Sequence, residues 1–223
     1  ALTIVDARSG EINRIDDGNL VVSARSLEGP FRGAGSLTLN GAPYTVSLAT
    51  GRAQENAGLR VKGEVTPTNR PVNFAFDGQL QVADAAPEFD GRFTIASVAL
   101  EENDPNIWQA EGQFTADIAE VAVPEFEFRY GPEDRRLSMT GNADLIYAGE
   151  KRFEIRAKSK QVDLDRLLGG GPQSPVDINE AATRLIAALR VVPLPSIDGA
   201  VSMDVPALVA GGGTGDAAIM LTV

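Results

Sequence analysis

Trp108-Gln109-Ala110-Glu111-Gly112-Gln113-Phe114-Thr115-Ala116-Asp117-Ile118 opens the stretch that decides the fold, and Gln161-Val162-Asp163-Leu164-Asp165-Arg166-Leu167-Leu168 closes it. Gln113 to Ile118 alternates polar and apolar, as a strand with one buried face does. Phe126-Glu127-Phe128-Arg129-Tyr130 alternates again, Gly131-Pro132-Glu133-Asp134 turns, and Leu137-Ser138-Met139-Thr140-Gly141 returns through Ala143 and Leu145. Ala148-Gly149-Glu150-Lys151 reverses the chain before Phe153-Glu154-Ile155-Arg156-Ala157. A side-chain period of two, interrupted by turn residues, predicts a β-meander.

Upstream the same grammar recurs. Leu20–Ala24 is an early strand, and Ser36–Leu39 and Tyr44–Leu48 form a hairpin about Asn40-Gly41, whose residues tolerate positive φ. Because Ala42-Pro43 follow, a loop longer than two residues is expected there. Leu59–Val65 places apolar residues at odd positions, and Val72–Val82 places its large ones at even positions. Ala86-Pro87-Glu88 and Glu101–Asn106 are expected to be connectors. An apolar-x-Gly-x-apolar unit occurs at Val61–Val65, Phe76–Leu80, Phe89–Phe93, Ala110–Phe114, Met139–Ala143 and Ile197–Val201. Glycine on the apolar face of a strand marks a bend or a close approach. The copies are irregularly spaced, which excludes a solenoid of fixed period.

Downstream, Gly169–Pro175 is a break. Asp177 and Glu180 form a capping box, and Ile178, Ala182, Leu185 and Leu189 follow at helical spacing until Pro193. Strands resume at Ile197–Val205, turn at Gly211-Gly212-Gly213 and end at Ala217–Val223. The expected fold is all-β and mainly antiparallel: a long twisted meander that curls. The organisation is a meander over 1–168, a flexible linker over 169–176, a helix over 177–192 packing on or plugging the sheet, and further strands over 193–223.

Composition narrows function. Hydrophobic content of 43% in 223 residues builds a core, and a net charge of −11 disfavours nucleic acid, whose phosphates need clustered Lys and Arg. The absence of Cys and His removes thiolate zinc sites, Cys nucleophiles, the Ser–His–Asp triad and the usual general base. Ser159-Lys160 are adjacent, so on a strand they face opposite ways. Asp163 suits the cap of a short helical turn better than a catalytic pair with Asp165. The chain is expected not to be an enzyme, and no cofactor or metal is implied. No run reaches the roughly 18 apolar residues of a membrane span, and a start at Ala1 suggests a processed chain or a piece of a longer one.

The order of features resembles the AsmA family of bacterial envelope proteins. The resemblance runs from Trp108-Gln109-Ala110-Glu111-Gly112-Gln113-Phe114 to Val162-Asp163-Leu164-Asp165-Arg166-Leu167-Leu168, then a loose linker, an Ala/Leu-rich helix, Ile197-Asp198-Gly199 and Gly211-Gly212. It covers about Phe89 to Val223, and the earlier strands only in style. It implies a meander curled into a groove or taco-like partial barrel, similar to TamB-type β-groove proteins, in a periplasmic segment of an inner-membrane-anchored parent concerned with outer-membrane assembly and lipid movement. The implied partner is a phospholipid or another acyl-chain ligand, with membrane contact made through an anchor of the parent. Candidate groove residues are Phe74, Phe76, Leu80, Phe89, Phe93, Ile95, Phe114 and Ile118. The alternative is a structural or adaptor domain that docks envelope proteins without lipid.

Overall fold

A computed structural model describes residues 2–5, 12–24, 26, 28–52, 58–83, 86–99, 107–133, 136–167, 170, 174, 176, 177, 179, 180, 183 and 197–222. Within them fourteen strands form one open, curled sheet. Strands β1 (Leu2–Val5), β2 (Ile12–Ala24), β3 (Phe31–Leu39), β4 (Ala42–Thr50), β5 (Leu59–Pro67) and β6 (Val72–Ala83) each pair antiparallel with the next. The meander continues through β7 (Ala86–Ser97), β8 (Trp108–Ala116), β9 (Glu120–Tyr130), β10 (Leu137–Ile146) and β11 (Arg152–Lys158). The all-β, mainly antiparallel expectation is met. Leu20–Ala24 proves to be the end of a thirteen-residue strand.

The C-terminal part changes direction. After β12 (Val162–Asp163) and the single turn α1 (Leu164–Leu167), the chain returns as β13 (Gly199–Ala210), parallel to β11 and β12, and β14 (Gly213–Thr222) folds back antiparallel on β13. Alternation told which residues share a face, and nothing in it told that β13 would run parallel to β11. Most of 169–176 and of 177–192 lies outside the described residues, including Leu185 and Leu189. At the described start of the helical stretch the cap is present: Asp177 Oδ1 accepts the N–H groups of Asn179 (2.9 Å) and Glu180 (3.2 Å). Asp163 caps α1 as expected, accepting the Arg166 N–H at 2.8 Å.

Three local expectations are corrected. Asn40-Gly41 is a minimal two-residue loop: Leu39 pairs with Ala42, φ is 48° at Asn40 and 84° at Gly41, and Pro43 lies inside β4 opposite Thr38. A proline in the first residues of a strand costs little of the ladder. Ala86-Pro87-Glu88 belongs to β7, where Pro87 pairs with Val82. Ile118 lies past the end of β8, which stops at Ala116, because Asp117 Oδ1 accepts the N–H groups of Ala119 (2.7 Å) and Glu120 (2.9 Å) and turns the chain. Glu101–Asn106 falls outside the described residues.

The sheet has a polar face and an apolar face. On the polar face charged side chains cross between strands: the Arg60 guanidinium grips Asp77 (3.0 and 2.9 Å), and Arg129 bridges Glu127 (2.6 Å) and Glu111 (2.9 Å). These arginines hold the Asp77 and Glu127 carboxyls below their usual values. They are exposed pairs, so they fix register more than they stabilise. The protein exposes 14642 Å²; a compact globular protein of this mass exposes about 9,800 Å². A sheet whose apolar face lacks a second layer over most of its described strands contributes to the difference.

Candidate functional site: the apolar face of the sheet

The glycine units and the phenylalanines are one structure. In register, Gly63 faces Phe76, Gly91 faces Phe114, Gly112 faces both Phe93 and Phe126, Gly141 faces Phe126, and Gly199 faces Phe153. A glycine opposite a phenylalanine gives the ring a flat place to lie, and the ring covers the bare backbone. The fit leaves no room for a side chain. A Cβ at Gly91 would stand 2.6 Å from Phe89 Cε1 and 2.8 Å from the Asp77 carbonyl, and at Gly63 or Gly199 it would run into the Phe76 or Phe153 ring. At all six expected positions the added atom meets a ring or backbone closer than van der Waals contact.

Seven of the eight candidate groove residues come together. Phe74, Phe76 and Leu80 on β6 pair with Ile95, Phe93 and Phe89 on β7, and Phe114 on β8 stands opposite Gly91. Ring centroids step from Phe74 to Phe76 (5.8 Å), Phe89 (5.7 Å), Phe114 (5.2 Å) and Phe93 (6.0 Å), mixing edge-on with near-stacked pairs as ring quadrupoles favour. Each of the seven is half-buried. The eighth, Ile118, sits in the β8–β9 turn and is 44% exposed.

The aromatic row is longer than the eight candidates. Trp108 stacks near Phe128 (6.1 Å), and Phe126, Phe128 and Tyr130 extend the aromatic face onto β9. The alternation of Phe126–Tyr130 was the signal. Along the register the face carries no charged residue from Gly33 on β3 to Ala157 on β11.

Cover exists at one end. Val162, Leu164 and Val205 form a buried cluster, with Leu137, Leu167, Val176 and Met203 against it, so α1 and Val176 pack against β10 and β13. Asp165 locks this corner. It is 3% exposed and its carboxylate accepts the N–H groups of Val176 (3.0 Å), Gly211 (3.0 Å) and Gly212 (2.9 Å). Those donors, Gly212 foremost, hold its carboxyl below the usual value against the opposing effect of burial. No sequence signal announced this, because two of its donors lie 46 and 47 residues away.

Two cavities of about 430 and 600 Å³ lie elsewhere, one beside Arg136, Asp163 and Arg166, the other on the polar face around Asn142, Arg156 and Asp204. Neither is lined by the phenylalanine row. Among the described residues no helix is long and apolar enough to cross a membrane, and no group of three or more acidic side chains is placed to hold a metal ion. No protein-family model, curated protein or solved structure matches the chain.

Proposed function

We propose that this chain is a non-enzymatic β-groove that binds lipid acyl chains through its apolar face, as a periplasmic segment of an AsmA-like envelope protein. The observation that carries the binding is the phenylalanine row of β6–β8: continuous, free of charge, partly exposed and without a second layer among the described residues. An apolar sheet face is covered, closed on itself or presented to an apolar ligand. Each methylene buried there contributes about 0.8 kcal/mol, so affinity follows chain length with little demand on the head group. The envelope setting rests on the resemblance of Trp108–Phe114, Val162–Leu168 and Ile197–Gly199 to that family.

One observation favours a structural or adaptor role instead: the rings lie down on the glycines and fill part of the face themselves. Photo-crosslinking in cells separates the two. A photoreactive residue at Phe93 or Phe114 captures phospholipid, while one at Arg92 or Gln113, on the polar face, does not. Equal labelling at all four positions, or none at Phe93 and Phe114, assigns the chain to the adaptor role.

A further inference from the structure

The apolar face changes character between β9 and β13. One line of paired residues crosses it: Phe93 on β7, Gly112 on β8, Phe126 on β9, Gly141 on β10, Ala157 on β11 and Met203 on β13. Over β6–β8 this face has no second layer among the described residues, and its rings are partly exposed. Over β10 and β13 the chain covers the same face itself. Leu164 of α1 packs with Val205, which leaves them 5% and 1% exposed, and Leu137, Leu167 and Met203 close around them. What fastens this cover is polar. The helix α1 is a single turn and β12 is two residues, too short to hold their shape alone. The Asp165 carboxylate ties them down by accepting the N–H groups of Val176, Gly211 and Gly212. Gly211 and Gly212 stand at φ of 61° and 77°, a conformation that costs glycine little, and both N–H groups thereby reach one carboxylate.

From this arrangement we infer that α1 is a latched internal cover: it takes, over β10 and β13, the place that an acyl chain takes over β6–β8, and release of the Asp165 latch opens that stretch of the face to lipid. The inference rests on the lipid-binding proposal and gives one stretch of the face a closed and an open state. Without the latch, Leu164 and Leu167 are held by apolar contacts. A methylene chain offers the same contacts and brings no polar group that needs a partner. Closure of α1 and lipid at Met203 exclude one another, so each weakens the other by the same factor. The phenylalanine row stands apart from this equilibrium. Phe93 and Met203 are five strand spacings apart in the sheet, about 24 Å at the usual 4.8 Å.

Two variants loosen the latch from its two sides. Asp165→Asn turns an amide donor toward the same N–H groups, and Gly212→Ala strains the turn that supplies one of them. The purified chain and each variant are incubated with phosphatidylethanolamine–phosphatidylglycerol vesicles containing a phospholipid with a diazirine at its acyl terminus. After irradiation the crosslinked residues are mapped by mass spectrometry, and amide exchange over β5–β8 reports whether the meander has stayed folded. The natural chain is expected to be labelled at Phe93 and not at Met203 or Val205. Asp165→Asn is expected to raise labelling at Met203 and Val205 at least fivefold while Phe93 stays within twofold, and Gly212→Ala to raise it in the same direction. Should Asp165→Asn lose protection over β5–β8, Gly212→Ala decides. Labelling at Met203 that is alike in the natural chain and the variants, or absent from all of them, overturns the latched cover while labelling at Phe93 leaves lipid binding in place. No labelling at any position on the face overturns the lipid-binding proposal itself.

Discussion

At the scale of single residues, glycine and aspartate carry the information here. The apolar-x-Gly-x-apolar unit was visible in the chain, and so was its place on the apolar face; what lies across from each glycine depends on register, which short-range pattern leaves open. Gly91→Val drives a branched side chain against Phe89 and the Asp77 carbonyl. Overpacking of this kind costs about 1–3 kcal/mol, which at this chain length lowers Tm by several degrees. Arg92→Val, next along and on the exposed face, is expected to shift Tm by no more than about a degree or two, the effect of an ordinary surface change. Scanning calorimetry of the two variants decides, and equal losses would contradict a crowded glycine line. Asp165 gives a prediction with a sign. Three N–H groups favour its carboxylate in the folded chain, so its pKa there lies below the unfolded value, near 3.8. The unfolded chain therefore takes up the proton first. The stabilisation is complete above that unfolded value and is lost as pH falls through the folded pKa. Urea midpoints measured from pH 6 down to pH 2 should fall for the natural chain over the acid end. Asp165→Asn should start lower at pH 6, since its amide presents a donor to the same three N–H groups, and should show a shallower decline.

At the scale of elements, alternation located strands well and their ends poorly. The cores of β3 through β11 were legible because one face of each is apolar. The ends were set by side chains that cap turns, as Asp117 does, or by proline tolerated inside a strand, as at Pro43 and Pro87. The Asp177 cap was legible, while the packing of Leu185 and Leu189 lies outside the described residues. The turn α1 looked like a minor ending in the sequence. In the fold it supplies Leu164, a lid over β13. Leu164→Ala should then destabilise by about 2–5 kcal/mol, the range for a buried leucine. Leu20→Ala, on the open end of the same face, should stay within about 0.5 kcal/mol. Urea denaturation of both variants measures the contrast. Similar losses at the two positions would mean that the N-terminal end is covered too.

At the scale of the whole molecule, the chain is organised by a ratio of surfaces. A single curled sheet exposing 14642 Å² buries roughly a fifth less surface on folding than a compact protein of equal mass would. Sequence composition could not reveal this, because 43% hydrophobic residues build a closed sandwich as readily as an open groove. The difference lies in whether the apolar face meets a second layer, and only the strand order, with β1 and β14 both left unpaired on one side, settles that for the described residues. The denaturant m-value scales with the surface exposed on unfolding. For this chain it should come out at about four-fifths of the value for a compact domain of the same length. Lipid bound in the groove would raise the midpoint by mass action. It would also restore part of the missing m-value, because the covered face is then exposed again on unfolding. Paired urea titrations, with and without phosphatidylglycerol at concentrations that label Phe93, should therefore show both quantities rising together. A rise in midpoint at constant m-value would indicate a ligand held at a small site elsewhere, such as the cavity beside Arg136 and Arg166, and would move the lipid off the phenylalanine row.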